Sequence, residues 1–313
     1  MVSTVNSEIM ELIDQFVQIS YSTEASRIVV KHYLKWFIRY LKQRSIDDIS
    51  MVTPQDIVKF RYWLSQVQSR RGKKLSNRTI NQILSFTKAF FEFLEALGYS
   101  NPFNELPTKI LKRLRPREKR DKVPEEYTGE QLRKIFNYLK HNADEDVYLA
   151  CLIAYATGAR LNEVLNICAE DVIIENDVMY IIIRKGKGLK ERISIVGCPG
   201  QDPILKELNA EAKRMLKKRV KERKRGYLFG NNDDRRRLRM RLQQCLYRLS
   251  KKLGFRVHIH AFRSNWGTKA LNQGIPLEII SRQLGHAHTQ TTEIFYAQLK
   301  AKRVLEMLKK YVS

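Results

Sequence analysis

The 313 residues predict a mainly α protein with a small antiparallel β-sheet, an α+β fold in two domains. Three observations carry this. Apolar residues recur at helical spacing through residues 1 to about 103 and again from about 203. Between 172 and 196 they fall into short alternating or continuous runs around a Gly-rich turn, as strands do. Between 104 and 127 three prolines bracket a run of Lys and Arg that no core would accept.

The elements follow in order. Ile9, Leu12, Ile13, Phe16 and Val17 make one helical stripe; Val29, Tyr33, Leu34, Trp36, Phe37 and Leu41 make a second. Thr53-Pro54 opens a third helix, Thr as cap and Pro in the first turn, with Ile57, Phe60, Trp63, Leu64 and Val67 facing inward. Ser76 caps a long fourth helix (Ile80, Ile83, Leu84, Thr87, Phe90, Phe91, Leu94) that Gly98 stops. Aromatic residues at this spacing read as core. Residues 1–106 are therefore expected to be a helical bundle with one basic side, 107–123 a solvated basic linker, and 124–313 a second domain. That domain opens with Thr128 capping a helix. Strands are expected at 172–174, 178–184 and 192–196, with Gly186 and Gly188 turning the chain between the last two. Helices resume to the end, the last of them amphipathic over residues 297–311.

The net charge of +25, from 58 Lys and Arg against 33 Asp and Glu, points to a polyanion, and nucleic acid is the first candidate. Residues expected against phosphates are Arg70, Arg71, Lys73, Lys74 and Arg78, then Lys112, Arg113, Arg115 and Arg117 in the linker. Lys185, Lys190 and Arg192 around the glycine turn, and Arg235, Arg236 and Arg237, complete the set. No apolar run reaches the ~18 residues of a membrane span, and no signal peptide opens the chain. Cys151, Cys168, Cys198 and Cys245 form no C-x-x-C pair and read as buried or free thiols, so a cytoplasmic, nucleoid-associated protein is expected.

The chemistry concentrates in the second domain. Arg160 follows the tight turn at Gly158, with Glu163 one helical turn on to hold its guanidinium. Lys187 stands between two glycines at a turn tip, where it can protonate a leaving oxygen. His260 and Arg263 share a helix face; Arg263 suits non-bridging phosphate oxygens and His260 suits a proton acceptor near neutral pH. Leu284-Gly285-His286 supplies a further donor, expected at a helix start. Each feature alone has a bland reading as a surface ion pair or a solvated hairpin. Four of the six histidines fall in H-x-H pairs, but no Asp, Glu or Cys cluster accompanies them, so zinc is disfavoured. No spaced acidic triad suggests paired Mg²⁺ either.

Taken in order, T-G-x-R-x-x-E (157–163), G-K-G-x-K-x-R (186–192), H-x-x-R (260–263) and L-G-H-x-x-x-x-T-T (284–292) resemble the tyrosine site-specific recombinase and phage integrase family, of the Xer-like type. The resemblance extends to the N-terminal half, which is similar to the family's helical, SAM-like core-binding domain, ending at Asn101-Pro102-Phe103. It implies a C-shaped clamp around double-stranded DNA with inverted-repeat arms, and a tyrosine that attacks the scissile phosphate to form a 3′-phosphotyrosyl link. No cofactor is implied, since the ester keeps the bond energy. The family further implies a homo-oligomer, a dimer on one site and a tetramer in synapsis, joined through the C-terminal helix 297–311. Carried over, Arg160 and Arg263 are the phosphate clamp, Glu163 its support, Lys187 the general acid, His260 the proton acceptor and His286 a transition-state donor. The absence of an arm-binding domain ahead of the first helix leans towards the simpler Xer-like type.

Two departures stand out. After Arg263 the chain reads Ser264-Asn265-Trp266, where many relatives have His-Thr-Phe. The family's tyrosine stands nine positions after the histidine of L-G-H and three after the second Thr; both counts land on Phe295. Either the natural residue there is Tyr and this chain is a nucleophile-less variant, or Tyr296 attacks after a one-residue slip. On a helix that slip turns the side chain by ~100°, which favours the variant. A non-cleaving regulator or architectural protein on the same scaffold is the alternative function.

Overall fold

The computed structural model describes residues 5–69, 72–116, 126–175, 178–184 and 191–285. The chain divides into two compact units, Met1–Asp121 and Lys122–Ser313.

In the first unit, α1 (Val5–Ser20), α2 (Glu24–Gln43), α3 (Pro54–Gln66) and α4 (Asn77–Ala96) surround one core. Their starts are set by side chains that accept otherwise orphan amides. Thr23 takes the Ser26 amide, Ser76 takes that of Thr79, and Thr53 and Asp56 cap each other's backbone across the first turn of α3. Phe37 sits edge-on to Phe60 and Phe91, centroids 5.1 and 5.6 Å apart, so the aromatic stripes are core, as their spacing predicts. Val67 falls just outside α3, as its C-cap.

The stretch expected to be linker departs from expectation. Thr108–Leu114 forms a further helix, α5, whose Leu114 is buried in the first core. Arg61 Nε donates to the Leu114 carbonyl (3.1 Å), Asn81 Nδ2 to that of Pro116 (3.0 Å), and Arg115 Nη2 to Ser85 Oγ (3.3 Å). Leu111 and Leu114 make the difference: two apolar side chains among the cations are enough to dock one turn of helix.

The second unit is built around α7 (Glu145–Thr157), whose residues from Val147 to Thr157 are all buried. A helix apolar on every side can only sit at the centre. Packed on it are α6 (Gly129–Asn142), α8 (Leu161–Leu165), α9 (Pro203–Arg223), α10 (Asn232–Leu253) and α11 (Ile259–Asn272). Strands β1 (Val172–Glu175), β2 (Val178–Ile183) and β3 (Arg192–Ile195) form an antiparallel sheet in sequence order. Opposed pairs include Ile181 with Ser194, which turn inward, and Ile182 with Ile193. Helix α12 (Leu277–Leu284) packs on α11 and β3. The four cysteines are free; burial pushes the Cys198 thiol up to about 12 and raises that of Cys151, which keeps both protonated. Among the described residues no helix is long and apolar enough to cross a membrane.

Candidate active site

The site grows from the end of α7. Gly158 closes that helix at φ 66°, and a Cβ there would meet Leu284 Cδ2 at 2.5 Å and Trp266 Cβ at 3.3 Å. Only glycine fits between α12 and α11 at this point and also takes the left-handed backbone. Thr157 Oγ1 accepts from the Ala159 amide at 3.1 Å, so the turn delivers Arg160 in one direction, as the N-cap of α8. Helix α8 is only five residues long, and the Arg160 amide is already taken by Glu163 Oε2 at 2.8 Å. The anion-binding capacity here therefore lies in side chains.

Arg263 comes to the same turn from α11. It is 4% exposed, and its Nη1 donates to the Gly158 carbonyl at 2.9 Å, two residues from Arg160. One turn earlier on that helix, His260 is exposed to solvent. The H-x-x-R spacing thus places a buried, oriented cation beside an accessible imidazole. Two of the three residues that depart from the family pattern lock α11 in place: Asn265 Oδ1 accepts from the Tyr127 amide (3.0 Å), and Trp266 Nε1 donates to the Gly197 carbonyl (3.0 Å).

Glu163 is the hub. Its Oε1 accepts from Arg160 Nη1 (2.9 Å) and Arg192 Nη1 (3.0 Å); its Oε2 accepts from the Arg160 amide (2.8 Å) and Arg192 Nη2 (2.7 Å). Four donors fill the four lone-pair sites of one carboxylate. Burial opposes ionisation of Glu163, but the hydrogen bonds and charges of Arg192 and Arg160 outweigh it and hold the carboxyl below the usual glutamate value. Such a group stabilises the fold fully above its unfolded pKa of about 4.3. That contribution disappears as pH falls through the lower folded value. Thermal melting between pH 7 and 3 is therefore expected to fall more steeply for the parent than for Glu163→Gln, which has no proton to gain. Parallel curves would contradict this.

The L-G turn is fastened to the same hub. Gly285, at φ 65°, caps α12, and Arg192 lies against it so closely that a Cβ would meet Nε at 2.8 Å. Arg160 Nη2 donates to the Gly285 carbonyl (3.1 Å) and Arg192 Nε to that of Gln283 (3.1 Å). Two cations thus satisfy carbonyls left open at a helix C-terminus. Gln283, buried, donates to Thr157 O, Ser194 Oγ and Ile195 O and accepts from the Ile195 amide. Nothing in the sequence marked Gln283, because its four partners lie on other segments.

Lys187, His286, Phe295 and Tyr296 lie outside the described residues, as do Arg70, Arg71, Arg117, Lys185, Lys190 and helix 297–311. Helix α12 ends at Leu284, and the helix start expected at His286 lies outside the described residues. Two of the residues expected on DNA are corrected. Arg235 is buried, stacked on Tyr227 with its guanidinium 3.5 Å from the ring centroid and bonded to Asn166 and Asn232. Arg192 is 10% exposed at its side chain and committed to Glu163. Both fill internal sites, because a guanidinium with each of its three nitrogens hydrogen-bonded is stable where a lysine would not be. Lys73, Lys74, Arg78, Lys112, Arg113, Arg115, Arg236 and Arg237 are exposed. Arg78 shares a face of α4 with Asn81 and Ser85, which hold Pro116 and Arg115, so Arg78 and Arg115 stand on one side of the first unit.

Residues 125–303 match the phage integrase family, and residues 18–98 match the phage integrase N-terminal SAM-like domain. Tyrosine recombinase XerA of Pyrococcus horikoshii is 27% identical over 98% of this chain and 94% of its own. Tyrosine recombinase XerC of Oceanobacillus iheyensis is 27% identical over 90% of each chain. Among solved structures, the XerH site-specific recombinase bound to palindromic difH substrate, a post-cleavage complex, aligns with a TM-score of 0.67. It is 18% identical over 92% of this chain and 80% of its own. A lambda integrase (75–356) dimer bound to a COC′ core site gives 0.65 at 16% identity, over 91% of this chain and 94% of its own. These structural likenesses show a shared fold.

Proposed function

The chain belongs to the phage integrase family of tyrosine recombinases, and from that premise we propose that it is a site-specific DNA strand-exchange enzyme. The observation that carries the proposal is the bond from Arg263 to the carbonyl of Gly158, which holds the Arg263 guanidinium at the backbone turn that leads into Arg160. Two arginines, one carried by that turn and one bonded to it, suit the non-bridging oxygens of a single phosphodiester and the charge that grows on them during attack.

In the proposed reaction a tyrosine oxygen attacks the scissile phosphorus while Arg160 and Arg263 neutralise the equatorial oxygens. His260, accessible at the start of α11, takes the phenolic proton. Lys187 protonates the departing 5′ oxygen, and His286 adds a donor to the transition state. The phosphotyrosyl ester keeps the energy of the broken bond, so the 5′ hydroxyl of a partner strand reverses the step and completes exchange. Two domains, residues 1–106 and 124–313 with 107–123 between them, would close around the duplex. Protomers would pair on inverted-repeat arms and form a tetramer through helix 297–311, in the cytoplasm beside the nucleoid. The exposed cations of the first unit support the clamp.

One observation favours a second reading. Phe295 occupies the nucleophile position by spacing, which suits a protein that grips DNA without cutting it. A nicked duplex that traps the covalent intermediate separates the two. A denaturing-gel adduct from this chain or from Phe295→Tyr supports the enzyme; no adduct from either overturns it. Both readings demand a clamp. On the order of ten phosphate contacts would give a log–log salt slope near about −9, measurable by anisotropy titration at several salt concentrations. A slope near about −2 would exclude a clamp of this size.

A further inference from the structure

We propose that Arg192 is a positioning residue for the phosphate site, acting through Glu163 to keep Arg160 turned towards substrate; this rests on the strand-exchange reading above. Arg192 opens β3, 29 residues beyond Glu163, yet Nη1 and Nη2 take one carboxylate oxygen each while Nε takes the Gln283 carbonyl. With a 10% exposed side chain it is poorly placed to meet a duplex. Its effect falls on Arg160, which is 31% exposed and therefore free to reorient.

Arg160 gives Glu163 a single side-chain N–H, because Arg192 and the Arg160 amide occupy the other three acceptor sites. A second Arg160 N–H goes to the Gly285 carbonyl. Of the five donors of a guanidinium, three remain uncommitted among the described residues and are available to an anion. Without Arg192, a carboxylate that is 3% exposed would retain one cationic partner. A buried carboxylate that is half neutralised draws that partner into a two-pronged pair. Arg160 would then swing its fork onto Glu163 and leave the Gly285 carbonyl. Lysine cannot replace Arg192, since one ammonium does not span both carboxylate oxygens and the Gln283 carbonyl together.

Uncharged methylphosphonates test this without requiring cleavage. Duplexes selected from a random pool for binding to the full chain are remade with one methylphosphonate at each central phosphate in turn. For the parent, one position per strand should lower affinity on the order of tenfold to a hundredfold, the worth of a charged hydrogen-bonded contact. For Arg192→Lys and Arg192→Met that penalty should shrink to about twofold, with affinity for the methylphosphonate duplex equal to the parent's. Variants that keep the parent's penalty overturn the inference, and so do variants that lose affinity equally for every duplex. Because Arg192→Met leaves Glu163 short of a partner and risks unfolding, Arg192→Met/Glu163→Gln is made beside it. The double variant removes both charges, so no buried carboxylate draws Arg160 away; it should melt like a folded protein and regain most of the parent's penalty. A folded double variant that still lacks it would mean that Arg192 does not act through the Glu163 charge, and would overturn the proposal. If the parent has no sensitive phosphate at all, the strand-exchange reading fails first, a result distinct from sensitivity that survives in the variants.

Discussion

Phe295→Tyr is expected to join covalently to a nicked duplex on the order of a thousandfold faster, or more, than the unsubstituted chain. The phenyl ring has no lone pair to offer phosphorus, whereas every other group assigned to the reaction is present in the sequence. A nucleophile acts as a unit with its base and its electrostatic partners, so restoring it should recover most of the rate at once. Tyr296→Phe is the companion. If the hydroxyl works from position 295, Tyr296→Phe in the Phe295→Tyr background should stay within a fewfold of its parent. If Tyr296 attacks, the unsubstituted chain already forms the adduct and Tyr296→Phe abolishes it. The one-residue difference decides because attack tolerates little misplacement.

Glu163→Ala should lower the stability of the second unit by about 3–5 kcal/mol, the usual cost of removing one member of a buried charge cluster. Arg192, only 10% exposed at its side chain, would lose its carboxylate partner and face Arg160 with no anion between them. The Arg160 amide and the bonds across the hub lose their acceptor in the same step. Urea denaturation of Glu163→Ala beside Glu163→Gln measures this. The carboxamide keeps the shape and part of the hydrogen bonding, so Gln should fall between Ala and the parent. A loss below about 1 kcal/mol for Ala, the level of an exposed pair, would mean the hub is solvated and adds little.

Much of the local structure was legible in the sequence because local rules decide it. The caps at Thr53, Ser76 and Thr128, the four apolar stripes of the first unit and the three short strands all depend on neighbours within a few positions. The pairing of Arg160 with Glu163 was legible for the same reason: one turn separates them. Where the reading failed, the partner was distant. Arg192 and Arg235 were counted as DNA contacts because a sequence shows that a residue is cationic and hides what stands beside it. One is folded onto Glu163, the other onto Tyr227 and two asparagines. Helix α5 was missed because its cations dominate the composition while Leu111 and Leu114 do the docking.

Taken alone, the sequence determined the α+β class, the order of the motifs and which residue types are available to hold a phosphate. Periodicity, caps and glycine turns depend on the chain's nearest neighbours, and their energies are set within a turn or a hairpin. Tertiary structure alone decided which cations face inward and which face solvent. It placed Gly158 between Leu284 and Trp266, put Arg263 on the carbonyl of that turn, and gave Glu163 its second arginine, Arg192. The physical reason is burial: a carboxylate removed from water must be neutralised by whatever side chains the fold brings to it, and for Glu163 that includes Arg192 from a strand 29 residues away.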